Sequence, residues 1–211
     1  MHTPSTSPRP SIYYNYQVFK PWLASQNEAQ PKHKVVIVGA GPAGMVTALE
    51  LARHGVPSVL VSADLQFSQG SRAIVFTRRS MEILQQVGVA HRITENGLPW
   101  RCGNSIYRGQ KVFRMETPHE PDDRFFPMIN IQQQYLEAYL HDACAAHPLI
   151  DVRWGNKLVK AENIEGGVKA VRGVDLEVAE HDPAQRASKI RPLVEDADAQ
   201  RRYLGVEPLA S

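Results

Sequence analysis

Apolar and polar positions along this chain change their period several times, and each change marks an element. Residues 34–38 read KVVIV, a short β-branched run bounded by turn residues, which predicts a strand buried on both faces. Beyond a glycine-rich turn the spacing becomes helical. Met45, Ala48, Leu49 and Ala52 fall at i, i+3, i+4 and i+7, one face of a helix that runs to Arg53. Gly55 stands where a helix end favours a residue tolerant of positive φ. Val59-Leu60-Val61 then reads as a returning parallel strand. Strand, glycine turn, helix and strand within about 30 residues make a βαβ unit.

Further on, Arg79 to Val87 predicts a helix with Met81, Leu84 and Val87 inward and Gly88 ending it. Residues 104–115 predict a hairpin turning at Arg108-Gly109-Gln110. Gln132 to Ala146 predicts a long helix with Leu136, Tyr139, Leu140 and Ala143 on one face and Pro148 past its end. Ile150, Val152 and Trp154 alternate as a half-buried strand, and a second hairpin follows around Gly166-Gly167, from Leu158 to Val171. After Val171 the pattern degrades, and residues 172–211 read as an irregular tail. Residues 1–33 carry Pro4, Pro8, Pro10, Pro21 and Pro31 and read as an arm, since proline removes backbone donors and forbids helix interiors. Tyr13, Tyr14, Tyr16, Phe19 and Trp22 are too aromatic for a free tail, so part of the arm is expected to lie against the body.

Composition narrows the function classes. A length of 211 residues with 43% apolar content supports one domain or one and a half. The net charge of +2, with both signs scattered, offers no basic stripe for nucleic acid. No apolar run approaches the roughly 20 residues of a membrane-spanning helix. The first residues lack a signal-peptide core, so a cytoplasmic setting is expected. Cys102 and Cys144 lack metal-ligand spacing and read as reduced, buried thiols. There is no GxSxG, and the eight histidines are scattered; His54 and His91 read as helix-end or solvent-facing residues.

The glycine turn carries the chemistry. In Gly39-Ala40-Gly41-Pro42-Ala43-Gly44, Gly39 permits the tight turn out of the strand. Gly41 lets a pyrophosphate approach the backbone, and Gly44 lets the helix pack close to the strand. The amides of Ala43 and Gly44, at the positive end of the helix dipole, would face the phosphates, while Pro42 suits the first helical position. The acidic residue expected at the end of the second strand is absent. Ser62 stands there, with Asp64 two residues on, and either could meet a ribose hydroxyl.

Gly70-Ser71-Arg72-Ala73-Ile74, Arg78-Arg79-Ser80-Met81-Glu82-Ile83-Leu84, Val87-Gly88-Val89 and Ile129-Asn130-Ile131-Gln132-Gln133-Gln134-Tyr135-Leu136-Glu137 together say more than a generic βαβ start. With Tyr16-Gln17-Val18-Phe19 in the arm, they resemble the class A flavoprotein monooxygenases, of the phenol hydroxylase and hydroxyphenylpropionate hydroxylase type, over residues 14–171. The resemblance implies an α/β, Rossmann-like FAD-binding fold over residues 34–171. Within it, residues 104–130 would begin a β-rich substrate-side region, and the whole would be truncated. It implies that Arg72 lies along the FAD and that Gln133 contacts the cofactor from the start of its helix, with Gln132 and Gln134 as register alternatives. It further implies NAD(P)H as a transient electron donor, dioxygen and a small aromatic substrate as partners, and ring hydroxylation through a flavin C4a-hydroperoxide. The family's later Asp-Gly and Gly-Asp cofactor motifs are not found, and a truncated or frame-disrupted product is expected. Two other classes compete. An NAD(P)-dependent dehydrogenase would share the βαβ start but has no counterpart expected for the Arg72 and Gln133 segments. A non-catalytic nucleotide-binding remnant is the third.

Overall fold

The computed structural model describes residues 14–23, 33–69 and 74–174. In chain order its elements begin with β1 (Val35–Val38), α1 (Pro42–Arg53) and β2 (Ser58–Val61). Next come β3 (Val75–Thr77), α2 (Arg78–Gln86), α3 (Ala90–Asn96) and β4 (Leu98–Trp100). A hairpin of β5 (Cys102–Tyr107) and β6 (Gln110–Glu116) leads to β7 (Met128–Asn130), α4 (Gln133–Ala145) and β8 (Ile150–Arg153). A second hairpin, β9 (Asn156–Ile164) and β10 (Gly167–Val174), follows.

The body is a parallel sheet in the order β1-β2-β8, in register so that Val38, Val61 and Arg153 end side by side. β2 is central, and all four of its residues are buried. β1 corrects an expectation. Its apolar run predicts burial on both faces, yet Val36 is 41% and Val38 56% exposed, while Ile37 packs against the core. The reason is position: among the described residues β1 pairs with β2 alone, so it has an open edge and one uncovered face.

The predicted helix faces form the core. Met45, Ala48, Leu49 and Ala52 of α1 are buried, and α4 turns Leu136, Tyr139 and Leu140 against α1 and β8; of its expected face Ala143 is only partly buried, and the neighbouring Cys144 is fully buried instead. At the centre of that contact the Cys144 thiol lies 3.7 Å from the Met45 carbonyl oxygen. Met81, Leu84 and Val87 are buried as the spacing of the α2 region predicts, and Gly88 takes φ +83°. Cys144 is buried as expected, but Cys102 is only half-buried, because it lies on the open β5–β6 hairpin.

Three strands and one helix escape the periodicity reading. β3, β7 and β4 form a small antiparallel sheet, each three residues long, too short to display a period of two. Asn130 accepts a 2.7 Å hydrogen bond from the Trp100 indole across it. Arg78, at the start of α2, closes the neighbouring loop through the Phe125 carbonyl at 3.1 Å and the Asp123 carboxylate at 2.7 Å. The β5–β6 hairpin turns at Arg108 and Gly109, both at positive φ (49° and 77°), which suits the twist of a two-residue turn.

The aromatic arm is docked where it is described. The Phe19 amide donates to the Leu65 carbonyl at 2.7 Å, and the Trp22 amide to the Trp154 carbonyl at 2.9 Å. Phe19 stacks flat on Trp154 with ring centroids 4.2 Å apart, and Tyr14 meets Tyr135 of α4 edge-on at 5.1 Å. The Arg153 guanidinium lies 3.9 Å over the Trp22 ring.

Candidate dinucleotide site

In an open α/β sheet, ligands sit outside the carboxyl ends of the strands. Three segments leave the sheet at that edge here: the glycine turn after β1, the loop after β2, and residues 154–156 after β8. α4 joins β8 through only residues 146–149, so it runs opposite to the strands and its first residue, Gln133, lies at the same edge.

The turn has the predicted backbone. Gly39 takes φ +106°, closed to most side chains, and its amide donates to the Val61 carbonyl at 2.8 Å, tying the turn to the end of β2. Gly44 is a packing position: a Cβ there would lie 2.0 Å from the Gly39 carbonyl oxygen and 3.3 Å from the Leu60 side chain. Gly41 differs. It is extended (φ −83°, ψ −178°), and a Cβ on it would meet nothing among the described residues within 4 Å. Among the described residues its face is open.

α1 begins with Pro42 at its first position, and among the described residues no side chain caps it. The first helical backbone bond here runs from Met45 to the Gly41 carbonyl at 3.0 Å. Among the described residues, the amides of Ala43 and Gly44 donate to no protein group. Unsatisfied amides at the positive end of a helix dipole, beside a face without Cβ, suit an anionic phosphate group. These residues fit the pyrophosphate of a dinucleotide.

The loop after β2 keeps Ser62 inward. Ser62 is 7% exposed, its hydroxyl oxygen accepts from the Asp64 amide at 3.3 Å, and its carbonyl accepts from the Asn156 amide at 2.6 Å. Asp64 is half-buried, and its carbonyl accepts from the Gly155 amide at 3.2 Å. Asn156, fully buried, also donates through its side chain to the Trp22 and Trp154 carbonyls, so the arm and this loop share one anchor.

The three consecutive glutamines separate clearly. Gln132 and Gln134 bond to each other at 2.7 Å, whereas Gln133 turns to the loop after β2. There it donates to the Glu137 carboxylate at 2.7 Å and to the Ser68 hydroxyl at 3.3 Å. Glu137 and Ser68 were not singled out by sequence reasoning as site residues. Arg72 lies outside the described residues, together with Gly70, Ser71 and Ala73. Gly39, Gly41, Ala43 and Gly44 thus come together on one turn. Asp64 and Gln133 stand on separate segments of the same sheet edge.

Among the described residues no group of acidic, His and Cys side chains could hold a metal ion, and no helix is long and apolar enough to cross a membrane.

Comparison with known proteins adds a family. Residues 32–182 match the family model described as "FAD binding domain". The FAD-dependent monooxygenase apdD of Emericella nidulans is 29% identical over 153 residues, covering 64% of this chain and 24% of that protein. The 3-(3-hydroxy-phenyl)propionate/3-hydroxycinnamic acid hydroxylase of Mycobacterium sp. (strain JLS) is 28% identical over 136 residues, again 64% of this chain and 24% of the relative. Among solved structures, the flavin-dependent monooxygenase PieE in complex with FAD and substrate superposes with a TM-score of 0.60 at 29% identity. That match covers 69% of this chain and 27% of PieE. The chain therefore spans about a quarter of the length of these relatives.

Proposed function

This chain belongs to the FAD-binding-domain family, and from that premise we propose that its glycine turn holds the ADP half of FAD for an NAD(P)H-dependent hydroxylation of a small aromatic substrate. The observation that carries the reading is the open face of Gly41 beside the unpaired amides of Ala43 and Gly44. Gly41 admits the pyrophosphate, and the two amides donate to its oxygens. Asp64 takes the ribose, a choice favoured by the burial of Ser62 and the engagement of its hydroxyl inside the loop. Gln133 contacts the cofactor from the start of α4, and Arg72 complements its negative charge.

When bound, FAD supplies electron transfer from NAD(P)H and the activation of dioxygen. Overall, one oxygen atom enters an aromatic C–H bond as a hydroxyl and the other leaves as water, with NAD(P)H providing the two electrons. The names of the relatives, which include a hydroxyphenylpropionate hydroxylase and a pentachlorophenol 4-monooxygenase, support a phenolic substrate class. Residues 34–171 form the cofactor-binding region, after an arm at 1–33; the strand pattern expected to end at Val171 runs on in β10 to Val174, so residues 172–174 belong to that hairpin and not to an irregular tail. On this reading residues 104–130, including the open β5–β6 hairpin, begin the substrate-side region. A cytoplasmic setting fits two cysteines that are both free thiols.

Two measurements test the reading. Purified protein is expected to be yellow and to release FAD on denaturation. With FAD, NADPH and a panel of phenols, the 211-residue chain alone is expected to oxidise NADPH slowly and yield hydrogen peroxide. The relatives' chains extend well beyond the matched region, and walls that exclude water from the flavin are assigned to that further sequence. Hydroxylated phenol formed in step with NADPH consumption would contradict that assignment. Tighter binding of NAD than of FAD would contradict the flavin reading itself and favour a dehydrogenase.

A further inference from the structure

Glu137 is 1% exposed, and among the described residues no Lys or Arg pairs with it. A carboxylate so buried needs donors, and it has three. The Ser68 amide reaches one oxygen at 2.7 Å, while the Ser68 hydroxyl and the Gln133 amide reach the other at 2.9 Å and 2.7 Å. Gln133 also donates to the Ser68 hydroxyl at 3.3 Å, which closes a triangle between the loop after β2 and the first turn of α4.

This triangle decides which way the Gln133 side chain points. Reversing its amide would set a carbonyl oxygen against the Glu137 oxygen that already accepts from the Ser68 hydroxyl, acceptor against acceptor. With the Nε2 hydrogens spent on Glu137 and Ser68, Oε1 is left as the acceptor of Gln133, without a protein donor among the described residues. We infer that Glu137 is a positioning residue for the cofactor: it orients Gln133 so that Oε1 accepts from a cofactor hydroxyl, and it pins Ser68 in the loop after β2. The inference rests on the FAD reading above.

A double-mutant cycle on FAD affinity, read by quenching of flavin fluorescence, separates positioning from general support. Glu137→Gln keeps the shape but brings a second NH₂ group among the donors and lets the Gln133 amide turn. It is expected to weaken FAD binding at least about tenfold, as is Gln133→Ala, and the double variant is expected to bind no more weakly than Gln133→Ala alone. Without flavin, hydrogen exchange at the Ser68 amide is expected to quicken in Glu137→Gln while far-UV circular dichroism stays that of the wild type. If Glu137→Gln does not fold, Ser68→Ala takes its place in the same cycle, with the same lack of additivity expected. Wild-type affinity in Glu137→Gln, or losses that multiply in the double variant, would overturn the inference while leaving FAD binding intact. A wild-type chain that binds no FAD would instead overturn the cofactor reading beneath it.

Discussion

Gly44 and Gly39 approach so closely that a Cβ on Gly44 would lie 2.0 Å from the Gly39 carbonyl oxygen. Helix α1 therefore sits on the turn only because position 44 lacks a side chain, and the obstructing atom is backbone, which cannot swing away. Gly44→Ala is expected to cost about 1–3 kcal/mol through overpacking. That corresponds to a melting temperature lower by several degrees, at about 2–4 °C per kcal/mol for a chain of this size. Thermal denaturation followed by circular dichroism without ligand checks it, and an unchanged melting temperature would show that the turn relaxes freely.

Much of this arrangement was legible in the sequence, and the parts that were not have physical reasons. The βαβ start could be read because Met45, Ala48, Leu49 and Ala52 keep helical spacing over about two turns between two apolar runs. The α4 face could be read for the same reason. β3, β4 and β7 could not, since three residues do not establish a period. The exposed face of β1 was missed because a run of β-branched residues does not say whether its strand is central or at an edge. In the site, the glycines announce themselves by spacing. Glu137 and Ser68 do not, because they meet across 69 positions of sequence, and nothing local marks a carboxylate destined for burial. A glutamate on an otherwise apolar helix face, one turn after Gln133, was the available signal.

Phe19 holds the arm to the body through its stack on Trp154 and its contact with Phe67, centroids 5.2 Å apart. Phe19→Ala is expected to cost about 2 kcal/mol, from lost apolar burial and lost ring pairing. Amide exchange at residue 19 and at Trp22, which donate to Leu65 and Trp154, is expected to accelerate more than exchange in β2. Equal acceleration throughout would mean that the arm is not a separate docking unit.

His141 lies among Phe19, Phe67 and Trp154, and burial holds it below its ordinary value near 6.5, against a weaker opposing pull from the Asp142 carboxylate. The folded protein then binds this proton less readily than the unfolded chain does. His141 thus favours folding fully only above about pH 6.5. Its contribution is lost as the pH falls from there through the lower folded-state value. Melting temperature is expected to drop between pH 7.5 and pH 5, and His141→Phe, which keeps a ring but cannot titrate, is expected to flatten that slope. An identical slope in the variant would assign the pH dependence elsewhere.

Burial between α1 and α4 pushes the Cys144 thiol up to about 12, while Cys102 is half-buried beside Arg114. The thiolate is the reacting form, so a folded sample at pH 8 is expected to release one equivalent of thionitrobenzoate from a disulfide reagent, from Cys102. Denaturant is expected to release the second. Rapid reaction of both thiols without denaturant would show that the α1–α4 contact opens readily.

The most direct test of the account is FAD affinity in Gly41→Val. Because nothing among the described residues lies within 4 Å of a Cβ at position 41, and its φ of −83° suits a β-branched residue, the substitution is expected to leave the ligand-free melting temperature nearly unchanged. The branched side chain would instead fill the space assigned to the pyrophosphate. FAD titration is expected to show affinity reduced at least about tenfold, the factor equivalent to 1.4 kcal/mol. Wild-type FAD affinity in a folded Gly41→Val protein would mean that the phosphates do not rest on this turn.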